Sequence, residues 1–188
     1  MDESRIRINV AVPSQAAAAF PRRGEPVRLG IPMALGTCVN ERHVRLLDAE
    51  GLERPLQTRV LDRWSDGSIR WLLLDFQVDH NGGATPVPCD LVLGLEPAAF
   101  RIPVVAIAKV GEGLAIDTGA ARFLMGPGGH FPFTEVLVSG LAAIDARRSR
   151  FDVIDERGER CSSTIINVDA EEEGPLRAIV KVDASVRC

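Results

Sequence analysis

The stretch that most restricts what this chain can fold into is Gln57 to Phe76, QTRVLDRWSDGSIRWLLLDF. Two apolar-rich runs flank Ser65-Asp66-Gly67. Asp-Gly between such runs is a strong local signal for a β-hairpin, because glycine accepts positive φ without steric cost. Leu61, Trp64, Ile69, Trp71, Leu72, Leu73, Leu74 and Phe76 form the densest apolar concentration in the chain, and both tryptophans lie here. A two-residue loop would oppose Arg63 to Arg70, and like charges opposed across a ladder are unfavourable. A three-residue loop, Ser65-Asp66-Gly67, instead opposes Asp62 to Arg70 and Leu61 to Trp71, with Gly67 in the left-handed position of a type I turn and G1 bulge. Asp66 and Gly67 are therefore read as the structural turn.

The rest of the chain repeats the β theme. Arg5 to Val12 alternates polar and apolar residues strictly, which faces Ile6, Ile8, Val10 and Val12 inward. Ser14 to Phe20, with four alanines, suits a short helical turn or a loop. Glu25 to Pro32 reads as a strand that Pro26 and Pro32 confine to an edge, a start or a bend. His43 to Asp48, Ile69 to Val78, Asp90 to Leu95 and Phe100 to Ile107 follow as strands. Gly111 to Gly113 reads as a break and the neighbourhood of a domain boundary. Beyond it, Leu114 to Met125 suggests a hairpin. Strands follow at Thr134 to Gly140, Arg150 to Asp155, Ser163 to Val168 and Leu176 to Val186. No long segment has helical period, so the class is all-β, mostly antiparallel. The last run stops at Cys188 without a closing turn, which suggests a piece of something longer.

Function is less legible. With 46% hydrophobic residues, the 188-residue chain has enough for a substantial core, and its net charge of −4 argues against nucleic acid or an anionic membrane as partner. No apolar run approaches the ~20 residues that cross a bilayer. The N-terminus lacks the apolar core of a secretory signal, which favours a cytoplasmic location. Cys38, Cys89, Cys161 and Cys188 are widely and irregularly spaced; buried or incidental thiols are the main reading and a disulfide framework the minor one. His43, His80 and His130 are dispersed, and Gly126-Pro127-Gly128-Gly129 lacks the lysine and spacing of a phosphate loop. No G-x-S-x-G elbow is present. Asp75 interrupts an apolar run and, if buried, needs a partner such as Arg28 or Arg59. The acidic run Asp169 to Glu173 is read as a solvated loop. No catalytic, cofactor-binding or metal residue can be assigned, and no cofactor is expected. Trp64 and Trp71 suit core packing first and sugar stacking second.

One combination of residues is more specific. Glu25-Pro26-Val27-Arg28-Leu29-Gly30-Ile31-Pro32, Gln57 and Arg63 to Phe76 together resemble the N-terminal RIFT-type barrel domain of the exo-rhamnogalacturonan lyase and YetA-like family. The resemblance covers roughly residues 5–107. Asp117 to Gly119 and onward to Arg177 look like the start of the β-sandwich that follows it. The resemblance thus implies a small RIFT-type β-barrel over 5–107 and a β-sandwich-like region over 112–188, truncated at its C-terminus. The family's activity is β-elimination at a uronate of pectic rhamnogalacturonan, which needs a base and a cation near the carboxylate. This chain has no tyrosine, and none of its residues matches a catalytic motif. The implied partners are the remaining domains of a parent chain and pectic polysaccharide, with Trp64, Arg70 and Trp71 as candidate glycan contacts. The competing reading is an interaction or structural module with no carbohydrate role. An exposed tryptophan beside polar groups favours the first.

Overall fold

The computed structural model describes residues 4–11, 20–82, 85–94 and 105–188. The Ser14 to Phe20 segment, apart from Phe20, lies outside the described residues, as do 95–104 and with them most of the expected Phe100 to Ile107 strand. The chain divides into two units, Met1–Arg101 and Ile102–Cys188. Among the described residues, apart from one 3-10 turn at Glu41–His43, the regular elements are all strands. No described helix is long and apolar enough to cross a membrane.

The first unit holds β1 (Ser4–Val10), β2 (Arg22–Pro32), β3 (Val44–Leu47), β4 (Glu53–Arg54), β5 (Leu56–Arg63), β6 (Ile69–His80) and β7 (Val87–Leu93). They form a sheet of order β1-β7-β3-β4 and a sheet of order β2-β6-β5. Every pairing is antiparallel. Ile8 from β1, Ile31 from β2, Leu46 from β3, Leu72, Leu74 and Phe76 from β6 and Leu91 from β7 share one buried core. The alternation along β6 is what sends Leu72, Leu74, Phe76 and Val78 inward and Trp71, Gln77 and Asp79 outward. β2 is an edge of its sheet, and it tolerates Pro26 and Pro32 for that reason.

The second unit holds β8 (Ala106–Val110), β9 (Gly113–Asp117), β10 (Ala121–Met125), β11 (Phe133–Val138) and β12 (Leu141–Ala142) in one antiparallel sheet of that order. A second sheet contains β13 (Asp152–Ile154), β14 (Arg160–Glu172) and β15 (Ile179–Arg187), with β14 central. Leu114, Ile116 and Met125 from the first sheet and Ile165 and Val168 from the second make one core.

Several details differ from the sequence reading. Ala106 and Ile107 pair with Asp117 and Ile116, so they begin a hairpin of the second unit rather than ending the first. Gly111 turns that hairpin, with Val110 opposite Gly113; the glycines break a strand without separating two domains. Asp169 to Glu172 belong to β14 and pair with β15 rather than forming a loop, Asp169 facing Lys181. Asp169 and Glu171 are exposed on a strand whose apolar neighbours Val168 and Ala170 pack inward. Cys161 and Cys188 form a disulfide, while Cys38 and Cys89 are buried free thiols. The antiparallel register explains the bond: Ser162 is opposite Arg187, which brings the next residues, 27 apart in sequence, side by side.

Candidate functional site

The β5–β6 hairpin positions all five residues singled out from the sequence. Its tip closes through Gly67 N–H to Trp64 C=O (3.0 Å) and Trp64 N–H to Ser68 C=O (2.8 Å). This is a three-residue loop, Ser65-Asp66-Gly67, followed by a bulge, and Gly67 takes φ +84°. The Asp66 carboxylate accepts from the Ser68 backbone N–H (2.9 Å) and hydroxyl (2.6 Å). Those two bonds, the hydroxyl first, hold the Asp66 carboxyl below the usual aspartate range. Ser68 Oγ in turn accepts from Gly36 N–H at 2.9 Å, which fastens the neighbouring loop to the turn.

Arg63 lies opposite Ile69, clear of Arg70. From there the register shifts twice: Asp62 is opposite Trp71 and Val60 opposite Leu72. The expected Asp62–Arg70 and Leu61–Trp71 backbone pairs are therefore replaced. The register shift leaves Asp62 and Arg70 close in space, and their side chains still form an ion pair at 3.1 Å.

The two tryptophans have different fates. Trp64 is half-buried; its indole N–H donates to Met33 C=O at 3.0 Å, and the Arg70 guanidinium covers its ring. Trp71 is 40% exposed. It faces outward between Pro32 on β2 and Asp62 on β5, its ring against Gly30, where a Cβ would lie 3.5 Å from the indole. The close approach of Gly30 lets the ring lie along the sheet rather than stand away from it. Arg63 donates to Val39 C=O and Gly67 C=O, both at 2.9 Å, and so ties the hairpin tip to the adjacent loop. Arg70 and Arg63 are thus both engaged within the hairpin, and Trp71 is the hairpin tryptophan with the more exposed ring.

Asp75 is 7% exposed and opposite Arg28, whose Nε lies 3.6 Å from its carboxylate. His80 is buried at the end of β6, with Nδ1 accepting from Gly82 N–H. His43 closes the 3-10 turn, and His130 Nδ1 lies 2.6 Å from the Ser163 carbonyl. His43 and His80 belong to the first unit and His130 to the second. Asp155, Cys161 and Cys188 place a carboxylate oxygen and two sulfurs within 4.8 Å. The sulfurs are bonded to each other, and Asp155 Oδ1 already accepts from Arg157 and Glu159 N–H at 2.8 and 2.9 Å. A cleft of about 680 Å³ in the first unit is lined by Arg54, paired with Asp48 at 2.7 Å, and Arg23, 3.7 Å from Asp79. None of these groups forms a nucleophile–base pair aimed at a common point.

The disulfide and the exposed setting of Trp71 were not legible from residue spacing: both follow from strand register. No curated protein matches the chain. Residues 16–81 match the PcRGLX-like N-terminal RIFT barrel domain, the rhamnogalacturonan lyase-like barrel that the Glu25 to Phe76 motif resembles.

Proposed function

We propose that this chain is a non-catalytic N-terminal β region of a polysaccharide-acting, rhamnogalacturonan lyase-like protein, and that it scaffolds its parent and contacts glycan through Trp71. The observation that carries this reading is the exposure of Trp71 on the outward face of the β2-β6-β5 sheet, beside Pro32 and the Asp62–Arg70 pair. An aromatic face supported from beneath and open above suits the apolar face of a sugar ring, and the flanking polar groups suit its hydroxyls. Trp64 cannot play the same part while its ring is covered by Arg70 and its N–H is bonded to Met33.

The test is a fluorescence titration of the purified chain with rhamnogalacturonan oligosaccharides. We expect weak saturable binding, with a dissociation constant on the order of 0.1–1 mM, and its loss in Trp71→Ala. Binding that Trp71→Ala leaves unchanged, or no binding, would refute glycan contact at this face. In the same samples, absorbance of the unsaturated uronate product is expected to stay flat. Turnover abolished by changing one of this chain's own residues would overturn the non-catalytic assignment.

A further inference from the structure

Asp155, Cys161 and Cys188 come from three places in the second unit: the turn after β13, the second residue of β14 and the residue after β15. Strand register gathers them. Val153 is opposite Cys161 on one side of β14, and Ser162 is opposite Arg187 on the other, which sets Cys188 beside Cys161. One carboxylate oxygen and the two sulfurs all lie within 4.8 Å of one another. The cysteines are 27 residues apart, so no short ligand spacing shows in the sequence. Asp155 is held firmly. Its backbone N–H donates to Glu159 C=O and its C=O accepts from Gly158 N–H, both at 3.0 Å. Its Oδ1 accepts from Arg157 and Glu159 N–H, while its other carboxylate oxygen has no hydrogen bond or ion pair among the described residues. Cys161 is buried on the central strand of its sheet.

Joined to each other, the two sulfurs are not metal ligands. Reduced, they are two thiols beside a carboxylate that two backbone N–H groups already orient. We propose that the reduced form of this cluster binds a thiophilic divalent cation of the zinc class, through Cys161 and Cys188 sulfur and Asp155 oxygen. Zinc takes thiolate and carboxylate ligands in a tetrahedron, and a water fills the fourth position. Calcium and magnesium prefer all-oxygen sets and are not suited to it. Zinc–sulfur bonds of about 2.3 Å put the sulfurs about 3.8 Å apart in a tetrahedron. The Cα atoms are 4.1 Å apart, so side-chain rotation supplies that separation without parting β14 from β15. The chemistry balances. A dithiol reductant gives two electrons and two protons to the Cys161–Cys188 bond and leaves as its own disulfide. The cation then displaces both thiol protons. Reoxidation removes two electrons to the oxidant, remakes the sulfur–sulfur bond and releases the ion. The same two strand ends are thus fastened by a covalent bond when oxidised and by an ion when reduced.

The experiment titrates the full chain with Co²⁺ and then Zn²⁺, once oxidised and once reduced with the reductant removed under nitrogen. The reduced chain is expected to take up one Co²⁺ with thiolate-to-cobalt charge-transfer absorption in the near ultraviolet, and Zn²⁺ is expected to bleach it. The oxidised chain is expected to show no such absorption. Cys38 and Cys89 are free thiols in both forms, so the difference between the forms belongs to Cys161 and Cys188. Cys161→Ser and Cys188→Ser are each expected to abolish the absorption. Asp155→Asn keeps an oxygen for the turn but removes the charge, and is expected to weaken Zn²⁺ binding about tenfold or more, read by competition with a chelating dye. Circular dichroism establishes that the reduced chain and the variants keep their β signal. A reduced chain that unfolds, or that gives no charge-transfer absorption, overturns the proposal. So does equal absorption in the oxidised chain. An Asp155→Asn variant that binds as tightly as the wild type overturns it too, because the carboxylate then has no part in the site.

Discussion

The guanidinium carbon of Arg70 lies 4.9 Å from the centroid of the Trp64 ring, while the same side chain reaches Asp62 at 3.1 Å. Arg70 therefore caps Trp64 and is itself held by a carboxylate across the hairpin. Beneath the cap, the indole N–H donates to Met33 C=O at 3.0 Å. Trp64→Phe keeps an aromatic face for the guanidinium but leaves that carbonyl without its donor. The expected loss is about 1 kcal/mol, the net worth of such a hydrogen bond, read as a lower urea midpoint. Glycan binding is expected to persist in this variant, because Trp71 and not Trp64 faces solvent.

Two glycines resist substitution for different reasons. Gly67 has φ +84° and nothing within 4 Å of where a Cβ would stand, so Gly67→Ala costs only the strain of left-handed backbone, about 1 kcal/mol. At Gly113 a Cβ would lie 2.1 Å from the Met125 carbonyl oxygen, closer than any real contact. Gly113→Ala must push β9 and β10 apart and is expected to cost more, about 1–3 kcal/mol. Thermal unfolding of the two variants side by side checks the order; a Gly67 variant less stable than the Gly113 variant would contradict it.

The turn also carries a pH dependence. Asp66 is held below its ordinary value chiefly by the Ser68 hydroxyl and then by the Ser68 N–H. A carboxyl with a lower value in the folded than in the unfolded chain contributes stability that is fully present above the unfolded value, about 3.9. That contribution is lost as pH falls through the folded value. Ser68→Ala removes the hydroxyl, so the Asp66 titration followed by NMR is expected to move upward toward the ordinary range. An unmoved titration would show that the hydroxyl is not the cause.

Thiol chemistry should separate the cysteines into two classes. Burial raises the thiols of Cys38 and Cys89 above their usual value, which keeps them protonated and slow to react at neutral pH. Cys161 and Cys188 are joined. A thiol reagent added without reductant is expected to find no fast-reacting cysteine in the folded chain, two after unfolding and four after unfolding with reduction. Four reactive thiols in the unfolded, unreduced chain would show that the disulfide does not form.

How far the sequence could be read depended on how local each cause was. The Ser65-Asp66-Gly67 loop is specified by its own residues, since Gly67 alone meets the left-handed requirement and Asp66 bonds two positions ahead. The all-β class follows from period-two alternation that any strand displays alone. That Asp75 needs a cation such as Arg28 or Arg59 was legible because an acidic residue in an apolar run needs a partner; that Arg28 lies opposite it follows from the β2–β6 register. The register beyond Arg63 was not legible: the shifts at Leu61 and Arg70 arise as β5 and β6 adjust to both the turn and the core. The Gly111 break was misread because a hairpin turn and a domain linker share the same residues. Cys161 and Cys188 could be joined only once the β14–β15 register was known. The tryptophans were equivalent as letters; the absence of a side chain at Gly30 and the reach of Arg70 set them apart.

The Cys161–Cys188 link has a mechanical consequence. β15 meets β14 edge to edge, and a pull applied at Arg187 alone would peel the two apart one hydrogen bond at a time, beginning opposite Ser162. With the sulfurs joined, tension arriving at Cys188 passes directly into the start of β14, a strand held between two neighbours and seated on the core through Ile165 and Val168. The load is then shared along the strand in shear. The covalent link thus fastens the far end of β15 to the start of β14.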